Sequence, residues 1–151
     1  MKLRELLKDI EVLACTADLE RDITAICYDS RKAEPGCLFV AVSGFAADGN
    51  RFIPMAMEKG ARVVVTAQKP REDVPYVLVP SDRQALARIA CNFYGRPADK
   101  MKIIGITGTN GKTSVTLLLK NVLETVLGAK VGLVGTMGNL IGSQPVASER
   151  T

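Results

Sequence analysis

The segment Ile103-Ile104-Gly105-Ile106-Thr107-Gly108-Thr109-Asn110-Gly111-Lys112-Thr113-Ser114 constrains this chain more than any other. A short apolar run enters a glycine-rich turn, and the turn opens a helical pattern with Val115, Leu118, Leu119, Val122, Leu123 and Val126 on one side, closed by Gly128. An apolar strand feeding a helix through a tight loop belongs to α/β architecture. The residue types suit phosphate. Glycines let backbone N–H groups converge on phosphate oxygens, and the helix N-terminus adds partial positive charge. Lys112 can neutralise the β and γ oxygens, and the Thr113 hydroxyl can hold Mg2+. The strict G-x-x-x-x-G-K-[ST] pattern would place its first glycine at Ile106, whereas Gly105 comes one residue earlier, which counts against a GTPase-like loop.

Around this loop the pattern predicts a strand over 102–107, a helix over 112–127 and a second strand over 130–135, a strand-helix-strand unit with parallel strands. Upstream, Leu3, Leu6, Leu7 and Ile10 mark a short helix, and strands are expected over 23–28, 37–42, 62–66 and 76–79. A helix from Phe52 closes at Gly60, and another, capped by Ser81 or Asp82, buries Leu86, Ile89, Ala90 and Phe93. Gly95-Arg96-Pro97 breaks the pattern. The chain therefore reads as two domains, 1–98 and 99–151, the second far shorter than a doubly wound nucleotide-binding domain requires. Such an open sheet should expose apolar surface and unpaired edges, so the chain is expected to self-associate or to be poorly ordered near residues 136–151.

Composition narrows the chemistry. The 151 residues contain no His and no Trp, which removes imidazole nucleophile dyads, imidazole metal sites and histidine proton shuttles. The four Cys, at 15, 27, 37 and 91, form no C-x-x-C pair and read as reduced, mostly buried residues. The charged start MKLRELLKDIEVL offers no apolar signal segment, and the uncharged run 131–147 is broken by glycines and Pro145, so a cytoplasmic protein without membrane insertion is expected. Residues 1–98 carry 14 basic and 13 acidic side chains, residues 99–151 carry 6 and 3. The cations of 99–151 stand singly and without interleaved aromatics, which argues against nucleic acid. After the loop the only acids are Glu124, well inside the helix, and Glu149, so no carboxylate is placed to share Mg2+. The 151 residues alone are expected not to turn over ATP.

Gly-Thr-Asn-Gly-Lys-Thr-Ser at 108–114 resembles the ATP loop of the Mur ligases, which add amino acids to the peptidoglycan precursor. Folylpolyglutamate synthetase has the same form of loop but no UDP-binding domain ahead of it. Here Tyr28-Asp29-Ser30-Arg31, Pro35-Gly36-x-Leu38-Phe39-Val40-Ala41, Gly44, Asp48-Gly49 and Phe52-Ile53 are similar to the UDP-binding domain of that family. Val131 to Gly135, Thr136, Gly138, Asn139 and Thr151 are most similar to the branch that adds a diamino acid.

The resemblance implies an N-terminal UDP-binding α/β domain followed by the first strand-loop-helix-strand unit of a P-loop ATPase domain. It covers all 151 residues but about the first third of such an enzyme. It implies that Gly108, Thr109, Asn110, Gly111, Lys112, Thr113 and Ser114 hold ATP, with Mg2+ at Thr113. It likewise implies that Tyr28, Ser30, Phe45, Ala46, Ala47, Asn110 and Thr151 contact UDP-MurNAc-L-Ala-D-Glu. Asn50 stands where a His is common in the family. The implied reaction phosphorylates the D-glutamate carboxylate from ATP, and the amine of diaminopimelate or lysine then attacks the acyl phosphate. A Mg2+-binding Glu, a modified Lys and the residues that choose the amino acid are expected downstream of Thr151. Two alternatives stay open: a non-catalytic nucleotide-binding module, and the family branch that adds a dipeptide.

Overall fold

The computed structural model describes residues 1–44 and 48–147. The chain divides into two compact units, Met1–Met101 and Lys102–Thr151.

The first unit is built on a five-stranded sheet. Its strands are β1 (Ala14–Cys15), β2 (Ile26–Cys27), β3 (Leu38–Ala41), β4 (Val63–Thr66) and β5 (Tyr76–Leu78), in the order β1-β5-β4-β3-β2. The four strands β2 to β5 run parallel, and β1 closes the β5 edge antiparallel. Helices α1 (Leu3–Leu6), α2 (Ile53–Glu58) and α3 (Asp82–Phe93) cover it.

The period-2 alternation of a strand explains the layering. Leu38, Val40, Val63, Val65 and Val77 join Leu3 and Leu6 of α1 and Ala85 and Ile89 of α3 in one core. The intervening residues Phe39, Ala41 and Val64 point the other way, onto Ile53 and Ala56 of α2 with Cys27 and Cys37. Both faces are covered, so β3 and β4 are buried throughout and read in the sequence as unbroken apolar runs.

Two expectations in this unit are refined. The strand expected over 23–28 shortens to Ile26–Cys27, because the Ile23 N–H donates to the Met1 carbonyl at 2.8 Å and the Thr24 N–H to the Gly36 carbonyl at 3.1 Å. In α3 the innermost positions are Asp82, Ala85 and Ile89; Ile89 is buried as expected, but the stripe is rotated by about one residue, so that Ala85 rather than Leu86 faces the core and Leu86 and Phe93 pack from the side. Ser81 is the cap, accepting from the Gln84 N–H. Cys27 and Cys37 are buried as expected, but Cys91 is only half-buried and Cys15 is exposed.

The second unit contains α4 (Lys112–Leu127) and a meander of β6 (Gly132–Gly135), β7 (Gly138–Ile141) and β8 (Gln144–Val146). Gly128, at φ 60, ends α4, and the Ala129 N–H returns to the Leu123 carbonyl at 3.1 Å. Helix and loop form where the pattern placed them, but the strand pairing differs. Residues 102–107 form no strand and have no ladder partner among the described residues, and β6 pairs antiparallel with β7 rather than parallel across the helix. A two-residue turn at Thr136-Met137 brings β7 directly beside β6, which accounts for the antiparallel pair.

Candidate phosphate-binding loop and sheet edge

In the second unit, the turn before α4 is shaped by Gly108, at φ 150, and Gly111, at φ 78. Gly111 is the N-cap of α4, and no side chain caps that end. The first-turn N–H groups of a helix lack intrahelical partners, so an uncapped end preceded by a glycine turn is a place where an anion satisfies donors that nothing else covers. A Cβ at Gly111 would meet no atom within 4 Å, so the space beside the turn is open.

Lys112 sits at the first position of α4 and folds back over the loop, donating through Nζ to the Gly108 carbonyl and, at 3.2 Å, to the Thr109 carbonyl. Carbonyl contacts offset the unfavourable position of a cation at a helix N-terminus. They also hold the ammonium over the loop whose N–H groups would meet a phosphate. Thr113 follows, its Oγ1 3.4 Å from Thr136 Oγ1 at the β6–β7 turn. Glu124 is paired with Lys120 at 2.6 Å within the helix, three turns from the loop, as its sequence position required.

The first unit carries its own candidate surface where the parallel strands end. In open α/β sheets ligands bind beyond the carboxyl ends of the strands. Tyr28 follows β2 and is 46% exposed. Ser30 follows it but is buried, with its Oγ donating to Met55 Sδ at 3.3 Å. The intervening Asp29 forms a bidentate pair with Arg31 and accepts the Arg31 N–H at 3.0 Å. The Arg31 side chain, then its N–H, hold the Asp29 carboxyl down at about 2. Read alone, Asp-Ser-Arg is an ordinary turn, and that turn is what forms.

Phe45, Ala46 and Ala47 lie outside the described residues, as does Thr151. What borders the segment is a polar network that sequence reasoning did not pick out. The Asn50 side-chain amide donates to Asp48 Oδ1 at 2.7 Å, and the buried Thr66, at the end of β4, places its Oγ1 2.7 Å from Asn50 Oδ1. The Asn50 N–H, then the amide, draw the Asp48 carboxyl below its ordinary range. Asp82, at the start of α3, accepts the Ser43 N–H at 2.8 Å. Asn50 was visible as a departure from a pattern and Asp82 as a candidate helix cap; Thr66, and the bond from Ser43 to Asp82, carry no signal until the chain is folded.

An α/β protein with a glycine-rich loop opening a long helix, preceded by a separate parallel sheet, is the class these two units define. The chain belongs to the Mur ligase family: the catalytic domain of that family matches residues 22–94, and the Mur ligase middle domain matches residues 106–151. A UDP-N-acetylmuramoyl-L-alanyl-D-glutamate–2,6-diaminopimelate ligase of Clostridium tetani is 44% identical over 100% of this chain and 32% of its own length. A solved structure of a ligase of the same name superposes with a TM-score of 0.73 and 27% identity, over 96% of this chain and 29% of that one. A MurF ligase from Thermotoga maritima in complex with ADP gives 0.53 and 29%, over 69% of this chain and 23% of that one. The chain thus spans about a third of the length of the curated relatives it matches. Among the described residues no helix is long and apolar enough to cross a membrane.

Proposed function

We propose that this chain supplies the UDP-sugar-binding module and the ATP phosphate loop of a cytoplasmic ligase that joins 2,6-diaminopimelate or a related diamino acid to UDP-MurNAc-L-Ala-D-Glu. The observation that carries the reading is the 44% identity, along the whole chain, to a relative whose name states that reaction.

The residues present fit the triphosphate: an uncapped helix end, two glycines with positive φ and Lys112 held over the turn make a donor set for phosphate oxygens. Bound ATP with Mg2+ would supply the phosphoryl group that activates the glutamate carboxylate. The loop binds and orients that triphosphate: Gly108, Thr109, Asn110, Gly111 and Ser114 through backbone groups, Lys112 through its charge and Thr113 through a hydroxyl toward the cation. Tyr28 and Ser30, with Phe45, Ala46 and Ala47, are assigned to the UDP end of the other substrate, and Asn110 and Thr151 to its peptide end.

Calorimetric titration of the 151-residue chain with UDP-MurNAc-L-Ala-D-Glu and, separately, with Mg-ATP tests this reading. Saturable binding of both, without release of inorganic phosphate, is the expected result. Failure of the UDP substrate to bind removes the first assignment, failure of ATP removes the second, and steady ATP hydrolysis removes the view that these residues alone lack the carboxylate partner.

A further inference from the structure

Helix α4 contains three threonines, and they use their hydroxyls in two ways. Thr116 donates to the Lys112 carbonyl at 2.6 Å and Thr125 to the Asn121 carbonyl at 2.8 Å, each bonding back four residues, the usual resting place of a helical hydroxyl. Thr113 does not. Four residues before it stands Thr109, whose carbonyl lies in the glycine turn and accepts from Lys112 Nζ at 3.2 Å. The Thr113 hydroxyl faces Thr136 Oγ1 instead, 3.4 Å away across 23 residues of chain.

Thr136 is the first residue of the two-residue β6–β7 turn, fixed by the pairing of Gly135 with Gly138. Its hydroxyl is therefore delivered by a hairpin, independently of the loop. A hydroxyl that gives a lone pair to a cation must direct its proton elsewhere, and the cation makes that proton a stronger donor. Thr136 Oγ1 is the acceptor so placed. We propose that Thr136 is a positioning residue for the cation of the bound nucleotide, accepting a hydrogen bond from the Thr113 hydroxyl so that the Thr113 lone pair faces Mg2+. The inference rests on the reading of residues 108–114 as an ATP loop.

The test compares Thr136→Val, which keeps the shape and removes the acceptor, with Thr136→Ser, which restores it. Thr136 is exposed, so neither change opens a cavity. Each protein is titrated calorimetrically with ATP in excess Mg2+ and with ATP in EDTA. T136V should lose about tenfold in affinity for Mg-ATP while its affinity for metal-free ATP stays within about twofold of wild type, and T136S should recover the Mg-ATP affinity. Equal losses with and without Mg2+, no loss in T136V, or no recovery in T136S each overturn the proposal while leaving the loop reading intact. Wild-type protein that binds ATP in neither condition overturns both.

Discussion

The two units of the molecule solve the burial problem to very different extents. Among the described residues, every buried apolar side chain except Leu133 lies in the first unit, around β3 and β4. In the second, α4 buries no residue, and Val115, Leu118, Val122, Val126, Val134 and Met137 are all exposed. The contrast is not one of composition, since α4 is the more apolar of the two long helices. The first unit has helices on both sheet faces. The second consists of one helix with a glycine end and one meander with two-residue turns, whose backbone hydrogen bonds are local and whose apolar faces are left largely uncovered among the described residues. A phosphate loop needs only that local order, and a sheet edge that must present Tyr28, Ser43 and Asn50 from three connections needs the core.

The sharpest way to break this comparison is to truncate one apolar side chain in each unit. Phe39→Ala, at a fully buried position, should cost about 3 to 5 kcal/mol, whereas Val122→Ala in α4 should stay within about 0.5 kcal/mol. All three tyrosines lie within 1–101 and there is no Trp, so during urea unfolding tyrosine fluorescence reads the first unit for Phe39→Ala, and far-UV circular dichroism, which includes the signal of α4, reads the second for Val122→Ala. Equal costs would mean that α4 is packed in solution.

A smaller effect comes from Gly49, where an added Cβ would fall 2.5 Å from the Val42 carbonyl oxygen and 2.6 Å from its nitrogen. Backbone cannot yield as a side chain can, so Gly49→Ala should destabilise the first unit by about 1 to 3 kcal/mol in the same assay. It should also weaken binding of the UDP substrate without touching that of ATP.

Lys112→Ala sharpens the comparison from the other side. It should lower ATP affinity about tenfold or more in calorimetry while the tyrosine-monitored unfolding curve stays in place. The smallest effect is electrostatic. Because the folded Asp29 pKa is depressed from 3.8 to about 2, its contribution to stability is present above pH 4 and lost as pH falls through about 2. The Arg31 side chain is exposed and salt-screened, so the readout is the titration itself: by NMR, Arg31→Ala should raise the Asp29 pKa toward the ordinary carboxylate range but not all the way, because the backbone N–H at position 31 still donates to it.

Legibility in the sequence followed the range of the interactions. The loop 108–114, the span of α4, the glycine that ends it, the cap of α3 to within Ser81 or Asp82 and the apolar runs of β3 and β4 are each determined within a few residues, and each was readable. What was misread depended on partners. The 102–107 strand was expected from its apolar run, but a run cannot say whether a neighbour lies beside it. The 130–135 segment was expected as a strand parallel to 102–107 across the helix; it is a strand, but its partner is β7, brought beside it by a two-residue turn. The phase of α3 slipped because Ala85, small and unremarkable in sequence, is what fits against the sheet.

The candidate sites divide in the same way. The sequence by itself determined a glycine turn opening a helix with Lys112 and Thr113 in its first turn, because backbone sterics and helix polarity act over neighbouring residues. Only the tertiary structure decided that Thr113 meets Thr136, that Thr66 reaches Asn50, and that Asp82 holds Ser43. Those contacts join residues 16 to 39 positions apart, and distance along the chain carries no information about them until strand pairing has fixed which ends lie together.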